Sequence, residues 1–229
     1  MADAQAGRRV RSFVLRGGRL TQGQKRALDQ LWPRYGIESM PEKLDFFQLF
    51  GNQNPVIIDI GFGNGESTWQ MAKVHPAENL LAVEVHLPGV GHLLLKLEEH
   101  HLENVRVACA DAVELLQSRV ADGVLSGARL YFPDPWPKKR HHKRRIVQAE
   151  FVKLLERKIK PGGLLHLASD WMPYAEHMLQ VMEASTVFEN CAPSGGFYPR
   201  PDWRVQTKYE ARGQRLEHRV HDLMYRRKD

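Results

Sequence analysis

Val56-Ile57-Ile58-Asp59-Ile60 is a strand-length apolar run broken by a single acid, and Gly61-Phe62-Gly63-Asn64-Gly65 follows it directly. A continuous apolar strand belongs in a sheet covered on both faces, since a half-exposed strand would alternate. The pattern then repeats. A helix is expected over 66–74, a strand over 80–85, a helix over 93–101, a strand over 105–109 and a helix over 112–120. A fourth strand falls at 129–132 and a helix at 146–159, which Pro161-Gly162-Gly163 stops before a fifth strand at 164–168 and a helix over 174–182. Alternating strand and helix signals predict an α/β fold with a doubly wound, mostly parallel sheet. Upstream, residues 1–20 read as an arm, Thr21 caps a short helix over 21–32, and 33–54 looks irregular. Downstream, extended stretches are expected near 186–188, 205–209 and 223–225.

In such a sheet ligands bind beyond the carboxyl ends of the strands, and here those ends carry acids. Asp59 precedes the glycine turn, Glu84 lies near the end of the second strand, Asp111 follows the third and Asp134 follows the fourth. A dinucleotide-binding turn has its third glycine one position later, where this chain has Glu66. A carboxylate at Asp59 repels a pyrophosphate and attracts an ammonium, which S-adenosylmethionine carries without any phosphate. Glu84 suits the ribose hydroxyls and Asp111 the adenine amino group, with Ala112 leaving room for the ring. Gly61, Gly63 and Gly65 allow close approach of the backbone. Taken singly, Glu84 or Asp111 reads as an ordinary loop acid and the glycines as a tight turn; together, after successive strands, they read as one ligand site. Asn64 and Glu66 read as helix-start residues.

Leu130-Tyr131-Phe132-Pro133-Asp134-Pro135-Trp136-Pro137 is a stiff turn beyond the fourth strand, with an acid to orient an acceptor and an indole on which a base can stack. Lys138-Lys139-Arg140-His141-His142-Lys143-Arg144-Arg145 follows at once. Beside a reactive turn, a polycation can hold a phosphate backbone while a base enters the pocket; the plainer alternative is a solvated basic face. The charge is segregated along the chain: residues 1–26 sum to +6, 27–137 to −8 and 138–145 to +6. An acidic body with basic attachments suits a polyanionic partner. At 229 residues, 42% hydrophobic and 26% charged, the composition is that of an ordinary globular domain. No apolar run approaches membrane-spanning length, and no apolar stretch follows the N-terminal arginines as in a secretory signal. Two cysteines, Cys109 and Cys191, suggest a reducing cytoplasm and no metal site.

These segments resemble the bacterial tRNA (guanine-N7-)-methyltransferases, the TrmB family, from about Arg8 onward. The stretches that carry the resemblance are Arg11-Ser12-Phe13, Ile60-Gly61-Phe62-Gly63, Val83-Glu84-Val85-His86 with Pro88-Gly89-Val90-Gly91, Asp111-Ala112-Val113-Glu114, Phe132-Pro133-Asp134-Pro135-Trp136, Lys143-Arg144-Arg145, Ser169-Asp170-Trp171 with Pro173-Tyr174-Ala175, and Thr207-Lys208-Tyr209-Glu210. The resemblance implies a seven-stranded Rossmann-like methyltransferase domain over residues 55–229, preceded by a basic arm and short helix over 1–54. It implies S-adenosyl-L-methionine as cofactor and methylation of N7 of a guanine in the tRNA variable loop, by a cytoplasmic monomer or homodimer with no obligatory protein partner. Asp59, Glu84, Asp111 and Asp134 would line the cofactor site, with Asp134 also the catalytic acid. Lys138, Asp170, Thr207, Lys208, Tyr209 and Glu210 would contact the substrate. Arg140, His141, His142, Lys143, Arg144 and Arg145 would meet RNA. Asp59 stands where relatives often have Glu, and Tyr209 where Phe is common. Two rivals remain on sequence alone: a small-molecule methyltransferase, against which the basic run argues, and a non-enzymatic RNA-binding protein, against which the row of acids argues.

Overall fold

The computed structural model describes residues 11–13, 18–38, 42–206, 210 and 219–229. Among them, seven strands form one sheet in the order β3-β2-β1-β4-β5-β7-β6. β1 (Val56–Ile60), β2 (Asn79–Glu84) and β3 (Val105–Cys109) step outward to one side, and β4 (Leu125–Tyr131) and β5 (Ile159–Ser169) to the other, all parallel. β7 (His221–Arg227) is antiparallel to β5 and to β6 (Phe188–Asn190). The order therefore reverses between β1 and β4, and a crevice opens where their carboxyl ends diverge.

Helices cover both faces. α3 (Glu66–Val74) and α4 (Leu87–Glu99) lie on one face, where Met71, Val90, Leu93 and Leu94 are buried against Leu80 and Ala82. α5 (Ala112–Ser118), α6 (Ala149–Lys158) and α7 (Met172–Glu183) cover the other, packing Leu116, Phe151, Leu155 and Met178 on Ile58, Leu81 and Leu165. Each fully buried leucine or isoleucine contributes roughly 1.5–3 kcal/mol, which is why strands apolar on both faces stay in the middle of the sandwich. α1 (Gln22–Tyr35) begins in a capping box between Thr21 and Gln24 and packs on α4, where Gln24 Nε2 donates to Pro88 O at 3.0 Å. α2 (Phe46–Phe50) is capped by Asp45.

Several boundaries differ from the sequence reading. α1 runs past Trp32, through Pro33, to Tyr35, and α2 forms inside the stretch read as irregular. α4 begins six residues earlier than expected, at Leu87, because Pro88 is tolerated in a first turn. Gly89 in that turn cannot be anything larger: a Cβ there would lie 1.9 Å from Gly63 O. α6 starts at Ala149, and β5 runs from Ile159 straight through Pro161-Gly162-Gly163 instead of starting after it. The β4–β5 register shifts between Leu125 and Gly127 opposite that tripeptide, a bulge being where a strand accepts Pro and Gly. Val205 and Gln206 lie outside any strand, and residues 207–209 lie outside the described residues.

Candidate active site

The turn after β1 is held open by its backbone. Gly61, Gly63 and Gly65 have φ of +69°, +61° and +76°, values at which a side chain costs about 1–2 kcal/mol. Gly61 N donates to Val83 O at 2.8 Å, and Gly63 N donates to Glu84 Oε2 at 2.8 Å. The other oxygen of Glu84 accepts from Val85 N at 2.6 Å and His86 N at 3.0 Å. Glu84 thus ties the glycine turn to the end of β2. This arrangement selects against a dinucleotide, because the amide a pyrophosphate would need is already given to a carboxylate.

Two cavities flank this turn and share Gly61, Tyr131 and Phe132 as lining. The first, about 200 Å³, is lined by Glu84, Asp111, Ala112 and Asp134, with Ser12 and Phe13 of the N-terminal segment on its wall. Asp111 caps α5, accepting from Val113 N at 2.8 Å. The second, about 430 Å³, contains Asp59, Gly63, Thr68, Arg204 and Val205. Asp59 is 6% exposed and accepts from Thr68 Oγ1 at 2.7 Å. Burial raises its pKa above the usual carboxylate range, opposed by the Thr68 hydroxyl and the Arg129 charge. A cationic ligand group seated against Asp59 would favour its ionised form.

Asp134 sits on the outer lip, exposed, in a turn bracketed by two strained residues: Phe132 at φ +52° and Trp136 at φ +46°. Such backbone is held only where its surroundings over-determine it. Phe132 N donates to Ala168 O at 2.8 Å, and Trp136 Nε1 to Ser12 O at 3.1 Å. The Arg144 guanidinium covers the Trp136 ring at 4.3 Å and its Nε donates to Arg11 O at 3.4 Å. Arg145 is 5% exposed, donates from Nε to Pro135 O at 3.0 Å and lies 4.8 Å over the Tyr174 ring. Burial pushes the Tyr174 pKa up to about 12.

A family model described as "Putative methyltransferase" matches residues 53–223. The tRNA (guanine-N(7)-)-methyltransferase of Alkalilimnicola ehrlichii is 54% identical over 231 residues, spanning 100% of this chain and 97% of the relative. That of Alcanivorax borkumensis is 51% identical, spanning 96% and 92%. The chain belongs to the tRNA (guanine-N7-)-methyltransferase family. Among solved structures, the 16S rRNA methyltransferase KamB overlays this methyltransferase with a TM-score of 0.58 at 15% identity, covering 86% of this chain and 99% of that one. An rRNA methylase from Streptococcus thermophilus gives 0.54 at 16% identity, covering 80% and 91%. At such identities the likeness is one of fold.

Set against the sequence reading, this methyltransferase brings Glu84, Asp111, Ala112 and Asp134 onto one cavity and Asp59 onto its neighbour. Gly61 lines both cavities and Gly63 the second, while Gly65 is the N-cap of α3, where a Cβ would strike Leu93 at 2.8 Å. The basic run is a 3₁₀ helix over Lys139–Arg144, on which Lys139, Arg140 and Lys143 are exposed, His141 and His142 are half-buried, and Lys138 precedes it exposed. Arg145 departs from the expectation, since it is buried and braces the turn from beneath. Trp136 also departs, its indole being spanned by Arg144 and fastened to Ser12. Asp170 directly follows β5, the strand beside β4, and lines neither cavity. Thr207, Lys208 and Tyr209 lie outside the described residues. Glu210 is 2% exposed, with both carboxylate oxygens on Arg204. Sequence reasoning missed Ser12, Phe13, Thr68, Tyr131, Arg204 and Val205 as lining. Ser12 and Phe13 were signalled by the Arg11-Ser12-Phe13 match, without a role. Arg204 had no local signal.

Proposed function

We infer that this protein transfers a methyl group from S-adenosylmethionine to N7 of a guanine in the variable loop of tRNA. The observation that carries the reading is Asp134: an exposed carboxylate on a strained turn that joins the first cavity directly to a basic helix. The cofactor supplies an activated methyl on a sulfonium. Its adenosine fits the first cavity, with Glu84 toward the ribose and Asp111 and Ala112 toward the base. Its ammonium fits Asp59, whose burial suits a cation better than a phosphate.

Guanine N7 has a lone pair and no proton to lose, so the protein has no base catalysis to perform. Its residues align the acceptor and exclude water, and alignment alone is worth up to roughly 7–11 kcal/mol of barrier. Asp134 orients the guanine or the cofactor ammonium. Lys138 and Asp170 extend the site outward, and Thr207, Lys208 and Tyr209 complete it on the substrate side, whereas Glu210, buried with both oxygens on Arg204, does not reach the substrate itself. Lys139, Arg140, Lys143 and Arg144, with His141 and His142, grip the phosphates. The target base must be unstacked to reach the turn.

The methyltransferase domain spans 55–229, with α1 and α2 of the preceding stretch packed into its cores. The protein works in the cytoplasm as a monomer or homodimer, without an obligatory protein partner. Among the described residues no helix is long and apolar enough to cross a membrane. The test is to incubate the protein with labelled methyl donor and unmodified tRNA and map the product. 7-Methylguanine in the variable loop is expected, and label elsewhere, or none, overturns the reading.

A further inference from the structure

The two cavities meet at Gly61, Tyr131 and Phe132, which line both. A cofactor with its adenosine in the first cavity and its ammonium against Asp59 in the second must pass its sulfur through that junction, because the sulfonium joins the ribose carbon to the amino-acid chain. A side chain at the junction therefore meets a positive charge in S-adenosylmethionine and a neutral thioether in the product, S-adenosylhomocysteine. Gly61 has no side chain to offer, and Phe132 opens the strained turn at φ +52°. Tyr131 is the last residue of β4, so the sheet itself carries its ring. Asp59 lies in register with Arg129 on β4, and Tyr131 comes two residues later. Asp59 and Tyr131 thus project from the same face of the sheet.

The Tyr131 ring is held at its far end. Its hydroxyl lies 2.8 Å from His166 Nδ1 on β5, and His166 Nε2 lies 2.8 Å from Asp222 Oδ1 on β7. His166 is 2% exposed and Asp222 1%. Since the Asp222 carboxylate can only accept, the neutral His166 ring donates from Nε2 and takes the Tyr131 hydroxyl proton in a hydrogen bond at Nδ1. The imidazole stands edge-on to the phenol, with ring centroids 4.9 Å apart at 77°. Burial raises the Tyr131 pKa, with Arg129 opposing and Asp59 adding to the effect, so the phenol stays neutral. A phenol anchored in this way presents its ring to the junction and keeps its O–H donor elsewhere. An aromatic face is negative and attracts a cation, the more so where water is excluded. Neighbouring guanidinium groups do not compete for it. Arg129 Nη2 donates to Glu78 Oε2 at 2.9 Å, and Arg204, the one basic side chain among the described lining of both cavities, is bound to Glu210 and Asp222.

We propose that Tyr131 selects the charged form of the cofactor: its ring, fixed by His166, attracts the sulfonium and gives the neutral product no equivalent contact. Methyl transfer then removes the attraction at the moment the product has to leave. The proposal rests on the reading above that seats adenosine in the first cavity and the ammonium at Asp59.

The test compares Tyr131→Leu, which removes the ring and keeps an apolar side chain, with Tyr131→Phe, which keeps the ring. Calorimetric Kd values for S-adenosylmethionine and S-adenosylhomocysteine read the effect without turnover, since the two ligands differ only in the methyl group and its charge. A desolvated cation–π contact is worth roughly 5- to 30-fold in Kd, and the preference of Tyr131→Leu for the charged ligand should fall by about that factor. Asp59 and Asp134 still attract the cofactor, so the preference falls without vanishing. The S-adenosylhomocysteine Kd should stay within about threefold of wild type, and Tyr131→Phe should keep the wild-type preference within the same margin. A ring that serves only packing would weaken both ligands alike, and that result overturns the proposal. An unchanged preference in Tyr131→Leu overturns it too, as does a Tyr131→Phe as unselective as Tyr131→Leu. Tyr131→Met, close in volume and unbranched, gives the same reading if the leucine variant does not fold. A wild type that binds neither ligand overturns the cofactor reading itself, whereas a wild type that methylates tRNA beside a Tyr131→Leu of unchanged preference overturns only the role of Tyr131.

Discussion

Replacing Glu84 by Gln leaves the side chain its length and removes its charge. The carboxylate accepts three backbone N–H groups, from Gly63, Val85 and His86, so in the wild type the same group ties the glycine turn to β2 and faces the first cavity. Glutamine retains one acceptor oxygen and places its NH₂ against amides that also donate, so at least one of those contacts is lost and the turn is released. Hydrogen bonds to a charged acceptor contribute about 1.5–3 kcal/mol each. The ribose hydroxyls would lose a charged acceptor as well. Loss of one such bond in the complex predicts that the S-adenosylmethionine Kd rises by about 10- to 100-fold, since each 1.4 kcal/mol is tenfold. In the free protein, loosening the turn by about 1 kcal/mol lowers Tm by roughly 2–4 °C at this size. Calorimetric titration with S-adenosylmethionine, beside a melt of the same sample, separates the two effects. A folded variant with wild-type cofactor affinity would refute the assignment of Glu84 to the site and the view that the turn is organised by its charge.

Three further outcomes are expected. Neutralising exposed Lys139, Arg140 and Lys143 should weaken tRNA binding and flatten its salt dependence by roughly one unit of slope per lost phosphate contact, with cofactor affinity unchanged; Arg145→Ala should instead lower Tm, because that side chain is buried under Pro135 and Tyr174, and a full salt slope in the triple variant would make the helix a solvated face. Asp134→Asn should cut single-turnover methylation by orders of magnitude with tRNA binding nearly intact, and near-normal turnover would remove Asp134 from the active site. Desolvation and then the neighbouring Arg140, Arg144, Lys138 and Lys143 hold the His141 pKa below the usual histidine value; bound phosphates would raise it, so binding takes up protons and tRNA affinity should grow as pH falls from about 7.5 through the ordinary histidine range, an increase that His141→Gln should diminish and whose absence in the wild type would place the ring away from RNA.

What was legible in the sequence was local. β1, the glycine turn and α3 occupy consecutive residues, and each is dictated by its own period or by a backbone that only glycine adopts, so their bounds were read correctly at 56–60 and 66–74. The acids at Glu84, Asp111 and Asp134 could be gathered in advance because parallel strands bring their carboxyl ends to one edge, a consequence of topology and not of any particular contact. Other features needed the third dimension. Gly89 must stay a glycine because a Cβ there would meet Gly63 O, and β5 runs through Pro161-Gly162-Gly163 opposite a shifted register in β4. Arg145 is spelled like its neighbours in the basic run, yet Pro135 O and the Tyr174 ring hold it in the interior while Lys143 stays in water. His166 lies on β5, Asp222 on β7, and Arg204 and Glu210 between them in the chain, and no spacing rule connects the four. Their charges are tolerable in the interior only as a set, so the assembled fold alone decides that they are partners.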